Sequence, residues 1–144
     1  MKAPVRRGIA AHPERCRSCQ VCMLGCSLYH DGRSSLAASR IAVDKDFETS
    51  EITINVCRQC AEPACLAACP TGAIRWQERV VVIIEEECVQ CGACLEACPY
   101  DSLFLAGDRY LKCDLCLGRA EGPLCIELCP VDALALASIA PEEL

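Results

Sequence analysis

Every cysteine in the sequence falls into one of four short groups, and none is left over. Cys16, Cys19, Cys22 and Cys26 form a C-x2-C-x2-C-x3-C run. Cys57, Cys60, Cys65 and Cys69 are spaced x2, x4, x3. Cys88, Cys91, Cys94 and Cys98 repeat x2, x2, x3, and Cys113, Cys116, Cys125 and Cys129 are spaced x2, x8, x3. Pro70, Pro99 and Pro130 follow the last cysteine of groups two to four, and Ser27 takes that place in group one. Three cysteines on one tight loop bring three sulfurs to three corners of an iron–sulfur cube. The fourth, three residues on in a short helix, points away and ligates a second cube held by another group. Proline then ends the helix. Zinc sites use pairs of C-x2-C and need neither a third cysteine nor a C-P step. A disulfide framework would need export and gives no reason for the repeat.

The rest of the composition agrees that inorganic centres supply the cohesion. The chain has 144 residues, and its aromatics are 2 Phe, 3 Tyr and 1 Trp. The hydrophobic fraction of 53% counts the 16 cysteines. A core of Ala, Val, Ile and Leu with hardly any rings is thin for this length and needs another source of stability. The net charge of −6 disfavours nucleic acid as a partner. No apolar run is long enough for a transmembrane helix. Arg6-Arg7 is followed by Gly8-Ile9-Ala10-Ala11 and then His12-Pro13, which is not an export signal. The expected location is the cytoplasm, where thiols stay reduced and a cysteine repeat reads as metal binding.

The elements that must position these groups are short. Residues 60–69 and 91–98 are expected to hold short helices. Each C-P step leads into a turn and a short strand: Thr71 to Ile74, Tyr100 to Leu103, and Val131 to Leu134. Val80-Val81-Val82-Ile83-Ile84 is the longest β-branched run and reads as the strand entering group three. Ile41 and Val43, then Ile52, Ile54 and Val56, alternate with polar or small residues around the polar stretch 44–50, which reads as an inserted β-hairpin. The fold class is α+β, with short helices and small antiparallel sheets.

With these spacings, and with Cys57-Arg58-Gln59-Cys60-Ala61-Glu62-Pro63-Ala64-Cys65 in the form C-x-x-C-x-x-P-x-C, the chain resembles a known family over residues 14–137. This is the four-cluster ferredoxin-type electron-transfer subunits of molybdenum- and tungsten-pterin oxidoreductases. The compact length, with Cys26-Ser27-Leu28-Tyr29-His30 and the hairpin behind it, resembles the small subunit of tungsten aldehyde oxidoreductases. It is equally similar to that of tungsten-dependent benzoyl-CoA reductase. The resemblance implies a tandem ferredoxin-like fold of two pseudo-twofold modules, each with two [4Fe-4S] clusters, in a single unit over 1–144. The inner module would span 52–103, the outer module 10–51 with 104–137, and a tail 138–144. Cluster one would be held by Cys16, Cys19, Cys22 and Cys129, and cluster two by Cys26, Cys113, Cys116 and Cys125. Cluster three would take Cys57, Cys60, Cys65 and Cys98, and cluster four Cys69, Cys88, Cys91 and Cys94. The implied order of electron transfer from the catalytic subunit is one, two, four, three.

No nucleophile–base pair, phosphate loop, or flavin or nicotinamide motif is present in the sequence, so the chain reads as a wire rather than an enzyme on its own. The resemblance implies a catalytic tungsten- or molybdenum-pterin subunit as partner. A flavin- or NAD-linked subunit or a ferredoxin would be the acceptor. The alternatives are a free ferredoxin-like shuttle, or the small subunit of a benzoyl-CoA reductase, formate dehydrogenase or hydrogenase complex. Leu134-Ala135-Leu136-Ala137 with Ile139 is expected as a docking tail, and His30 as a solvated surface histidine. Tyr29, Tyr100, Tyr110, Trp76 and Phe104 are expected to fill the core. Glu85-Glu86-Glu87 and Glu96 surround group three without a cation in its loop, so cluster four is expected to have the lowest potential. Anaerobic analysis should return about sixteen irons and sixteen sulfides per chain. A reproducible value near eight would remove the four-cluster reading.

Overall fold

The computed structural model describes residues 6–139. The described residues form four α-helices, two short 3-10 helices and four two-stranded antiparallel sheets. Helix α1 spans Val21–Asp31, α2 Ala64–Ala68, α3 Ala93–Ala97 and α4 Leu124–Leu128. Strand β1 (Arg6–Ala11) pairs with β8 (Leu134–Ile139), so the beginning and end of the described chain lie side by side. The inserted hairpin is β2 (Ile41–Lys45) with β3 (Ile52–Val56). Strand β4 (Ile74–Gln77) pairs with β5 (Val80–Ile83), and β6 (Phe104–Ala106) with β7 (Arg109–Leu111). Helix α1 packs on α4, and α2 on α3. Groups one and four therefore share one half of the molecule, and groups two and three the other.

Local sequence explains where these helices stop. Three of the four end at a cysteine in extended conformation, Cys69, Cys98 and Cys129, each followed by proline. Proline disfavours helical backbone in the residue before it, so the cysteine leaves the helix. Group one lacks this stop. Helix α1 runs on through Cys26 to Gly32, whose left-handed backbone (φ 72°) caps it with an N–H bond to the Leu28 carbonyl at 2.9 Å. Ser27, in the proline's place, is fully buried; its hydroxyl donates to the Leu24 carbonyl and accepts the Ser35 N–H.

The core is in two parts, and β5 is the wall between them. Val80 and Val82 face a larger cluster with Cys22, Cys26, Cys57, Cys113, Cys125, Ile41 and Val43. Val81, on the opposite face, packs with Cys65, Cys94, Ile74 and Leu103. Side chains alternate along a strand, so a run of valines is what a strand buried on both faces requires. Eight of the twenty-two buried apolar residues are cysteines, whereas Trp76, Tyr29 and Tyr100 are exposed. Of the aromatic residues expected to fill the core, Tyr110 packs half-buried against the smaller cluster, and Phe104 is half-buried. The space the exposed three would occupy belongs to sulfur.

The segment expected as a docking tail is also different. Leu134 to Ile139 is β8, with Leu134 buried and Ala137 opposite Gly8. The pattern Leu-Ala-Leu-Ala has the period of a strand, and a partner strand was available at the other end of the chain. Residues 140–144 of the expected tail lie outside the described residues.

Charge ties the two halves together. Asp31, at the end of α1, accepts a hydrogen bond from Arg109 of β7 at 3.0 Å and lies 3.6 Å from the Arg40 guanidinium. Glu85 accepts from Arg109 at 2.8 Å. The Arg109 hydrogen bond holds the Asp31 carboxyl below the usual range, with the Arg40 charge adding to it against the cost of burial. Asp31→Asn should lower the stability of the iron-loaded protein by about 1–2 kcal/mol in guanidinium denaturation. A carboxyl with a lowered native pKa stabilises above its unfolded value of about 3.9 and stops doing so as pH falls through the native value. The gap between variant and wild type should therefore be full at pH 6 and narrow as pH falls toward the native value.

Candidate metal centre

The same backbone device occurs in all four cysteine loops. The residue two after the first cysteine has a positive φ: Ser18 (58°), Gln59 (50°), Gln90 (60°) and Leu115 (56°). Its N–H then points back at the sulfur, giving Ser18 to Cys16, Gln59 to Cys57, Gln90 to Cys88 and Leu115 to Cys113, each at 3.4 Å. Left-handed backbone is unfavourable for non-glycine residues, and four copies at equivalent positions mark a constrained functional loop. A second device follows the C-P steps. Gly72, Asp101 and Asp132 are left-handed, and the next N–H reaches the last cysteine of the group, as in Ser102 to Cys98 (3.4 Å) and Ala133 to Cys129 (3.3 Å). In group one the Arg40 N–H does this for Cys26 at 3.3 Å. Hydrogen bonds of this kind stabilise thiolate sulfur and raise cluster potentials.

The sulfurs converge across sequence. Cys16, Cys19, Cys22 and Cys129 line one cavity, walled by Val43, Ile54 and Leu134. Cys57, Cys60, Cys65 and Cys98 line another, with Val81, Leu103 and Tyr100. Arg58 lies over the Tyr100 ring at 4.0 Å. Cys125 lies in the field of Cys116 and Cys26, and Cys94 in that of Cys88 and Cys91. Cys69 joins the cluster that holds Cys65 and Cys94.

All sixteen cysteines are free thiols. Burial pushes the Cys22 and Cys65 thiols up to about 11 and Cys125 to about 12, with neighbouring sulfurs adding to the effect. Burial raises the Cys113 thiol as well. Burial also acts on Cys26, but the bonds from His30 and the Arg40 N–H outweigh it and lower its pKa. Crowded buried thiols become ligands only when a cation's charge removes their protons. Apolar cavities with four sulfurs and inward N–H groups fit a [4Fe-4S] cube by donor type and number.

Two expectations about individual residues change. His30 is not on the surface: its side chain is 10% exposed, its Nε2 is 2.9 Å from Asp114, and its Nδ1 contacts the Cys26 carbonyl oxygen at 2.8 Å. The four-residue step from Cys26 to His30 along one helix face was the available signal. The place of group two also differs from the expectation. Cys57 belongs to the same core cluster as Cys113, which lies in its electrostatic field. The group-two loop therefore borders the group-four loop, whereas Cys91 of group three is exposed. Group two is at the junction of the halves, not at the far end.

This combination of fold and loops is that of multi-cluster ferredoxin-type electron carriers. The chain belongs to the 4Fe-4S dicluster domain family, whose pattern matches residues 47–139; residues 13–29 match a 4Fe-4S binding domain. With sixteen cysteines in four groups, it binds four [4Fe-4S] clusters. It is 38% identical over 110 residues to the aliphatic sulfonate oxidoreductase polyferredoxin-like subunit of Pyrococcus furiosus, covering 74% of this chain and 63% of that one. The chain thus spans less than two thirds of that relative. It is 31% identical over 143 residues to the electron transport protein HydN of Escherichia coli, covering 83% and 81%. Among solved structures, a chain of the BamBC active-site complex of benzoyl-coenzyme A reductase with zinc superposes with a TM-score of 0.59 at 26% identity, over 95% of this chain and 81% of that one. Among the described residues, no helix is long and apolar enough to cross a membrane.

The acidic entrance to group three is compensated at two of its glutamates. Glu87 pairs with Arg75, and Glu85 with Arg109. Sequence adjacency gave the three glutamates without these arginines, which come from other strands. Glu87→Gln should shift the midpoint of the cluster on the group-three loop by less than the ~59 mV of a tenfold one-electron change. EPR-monitored titration of the variant checks this.

Proposed function

We propose that this chain is the electron-transfer subunit of a tungsten- or molybdenum-pterin oxidoreductase in the cytoplasm. Its clusters are held by Cys16/Cys19/Cys22/Cys129, Cys26/Cys113/Cys116/Cys125, Cys57/Cys60/Cys65/Cys98 and Cys69/Cys88/Cys91/Cys94, in that order along the wire. The observation that carries the reading is the distribution of exposure. Cys19 and Cys91 are the two exposed cysteines, and they belong to the first and last of these sets. All four cysteines of the second set are buried, as are Cys57 and Cys65 of the third. A wire needs two accessible ends and an insulated middle.

The bound clusters supply the one-electron chemistry. The chain's residues do the rest. The loops fix the sulfurs, the left-handed N–H groups steady their charge, and the buried Val80, Val81 and Val82 separate the two core clusters. One end meets the catalytic subunit. The other meets a flavin- or NAD-linked subunit or a ferredoxin. The partner we favour oxidises or reduces aldehydes, on the compact form of group one. Likeness to a chain of BamBC favours a second reading, in which the catalytic subunit acts on an aromatic coenzyme A thioester.

The test has two parts. Cys129→Ser and Cys19→Ser should alter one and the same EPR signal, and Cys116→Ser a different one; separate signals for the first two would overturn the ligand sets. The native complex, isolated anaerobically through a tag on this chain, should contain tungsten or molybdenum. Aldehyde should then reduce its clusters. Reduction by a dienoyl-CoA and not by aldehyde would favour the second reading. A complex free of both metals would overturn the proposal.

A further inference from the structure

One buried cation is unaccounted for by the wiring. Lys112 follows β7, behind the buried Leu111, and is itself 5% exposed. Its Nζ lies 2.8 Å from the Cys57 sulfur and 3.5 Å from the Cys113 carbonyl oxygen. No carboxylate pairs with it among the described residues. Asp114, two residues on, is engaged by His30 and by the Cys116 N–H. Gln59 closes the other side of the junction. Its carboxamide donates to the Cys113 carbonyl oxygen at 2.8 Å and accepts the Val81 N–H at 2.7 Å.

A lysine that serves only to fill space would snorkel to water or find a carboxylate. Methionine would fill the same volume without burying a charge. The anion that Lys112 faces is cysteine sulfur, and it is the only lysine or arginine side chain hydrogen-bonded to one among the described residues. The backbone N–H bonds to the first sulfur recur in all four loops, so they do not distinguish one cluster from another. His30 approaches the Cys26 sulfur at 3.7 Å, but Asp114 shares its charge. Lys112 is thus the one buried cation among the described residues that faces a cysteine sulfur with no carboxylate to share its charge.

We propose that Lys112 sets the potential of the cluster bound by Cys57, Cys60, Cys65 and Cys98, raising it above the value its loop alone would give. The inference rests on the ligand set proposed above. Reduction adds one electron and no proton, so the centre gains one negative charge. A fixed ammonium against its sulfur favours that reduced form. Inside the protein the attraction is weakly screened. Because Cys113 and Cys57 flank the lysine, the charge sits where electrons cross between the halves. It makes the inner side of that crossing the more favourable resting place.

The experiment uses the iron-loaded full chain and the variants Lys112→Met, Lys112→Gln and Lys112→Arg, titrated anaerobically with dithionite under EPR. Cys60→Ser identifies the signal. If it alters no single signal, the ligand set fails, whatever the lysine variants do. With the signal identified, Lys112→Met and Lys112→Gln should keep about sixteen irons. At the wild-type midpoint, the ratio of reduced to oxidised cluster should fall at least tenfold, a shift of about 59 mV for one electron. Lys112→Arg should stay within threefold of wild type, and the other three signals should not move. Unchanged midpoints in both uncharged variants would overturn the proposal, as would an equal shift of all four. So would Lys112→Gln behaving as wild type, which would leave the residue a hydrogen-bond donor only. Loss of this cluster's iron from both uncharged variants with Lys112→Arg intact would make the cation a condition of assembly, and would also overturn it.

Discussion

A backbone N–H turned back onto the sulfur two residues before it is the interaction on which the other features depend. It requires left-handed backbone at Ser18, Gln59, Gln90 and Leu115, where none of the residues is glycine. That strain persists only if something outside the loop over-determines it. Bound iron and the helix after each loop do so together. The short helices, the C-P exits and the two-stranded sheets then follow as ways of delivering a fourth sulfur. The sheets are small because they frame sulfur rather than a conventional apolar core.

Much of this was legible in the sequence because cysteine spacing encodes local geometry. The loops, the short helices of groups two and three, the hairpin and the strand entering group three lie where the residue pattern puts them. What escaped was non-local. The β1–β8 pairing joins opposite ends of the described residues, and a Leu-Ala alternation cannot say which strand it will meet. The burial of His30 depends on Asp114, and the Arg75 and Arg109 pairs come from strands far from the glutamates they neutralise. Lys112 shows the limit most clearly. In sequence it adjoins Cys113, but its side chain reaches the sulfur of Cys57.

Electrostatics in this molecule therefore cannot be assigned to a cysteine group by reading its flanks. Asp114 sits inside the group-four loop, yet its carboxyl is spent on His30 and a local N–H. Glu85 belongs to the group-three approach, yet it ties β7 to the end of α1 through Arg109 and its neighbours. The charges that matter to a centre are those that the packing of the two halves brings against it.

The pairing of β1 with β8 has a consequence for synthesis on the ribosome. The half built from groups two and three can close once the segment through group three has emerged. The half built from groups one and four cannot, because α1 must wait for α4 and β1 for β8. At ~5–20 residues per second, the group-one thiols are on the nascent chain for on the order of ten seconds before their partners exist. During that interval they are the thiols most open to oxidation or to a wrong metal. Iron delivery would then proceed from the middle of the chain outward, with the outer half sealed only once β8 has emerged.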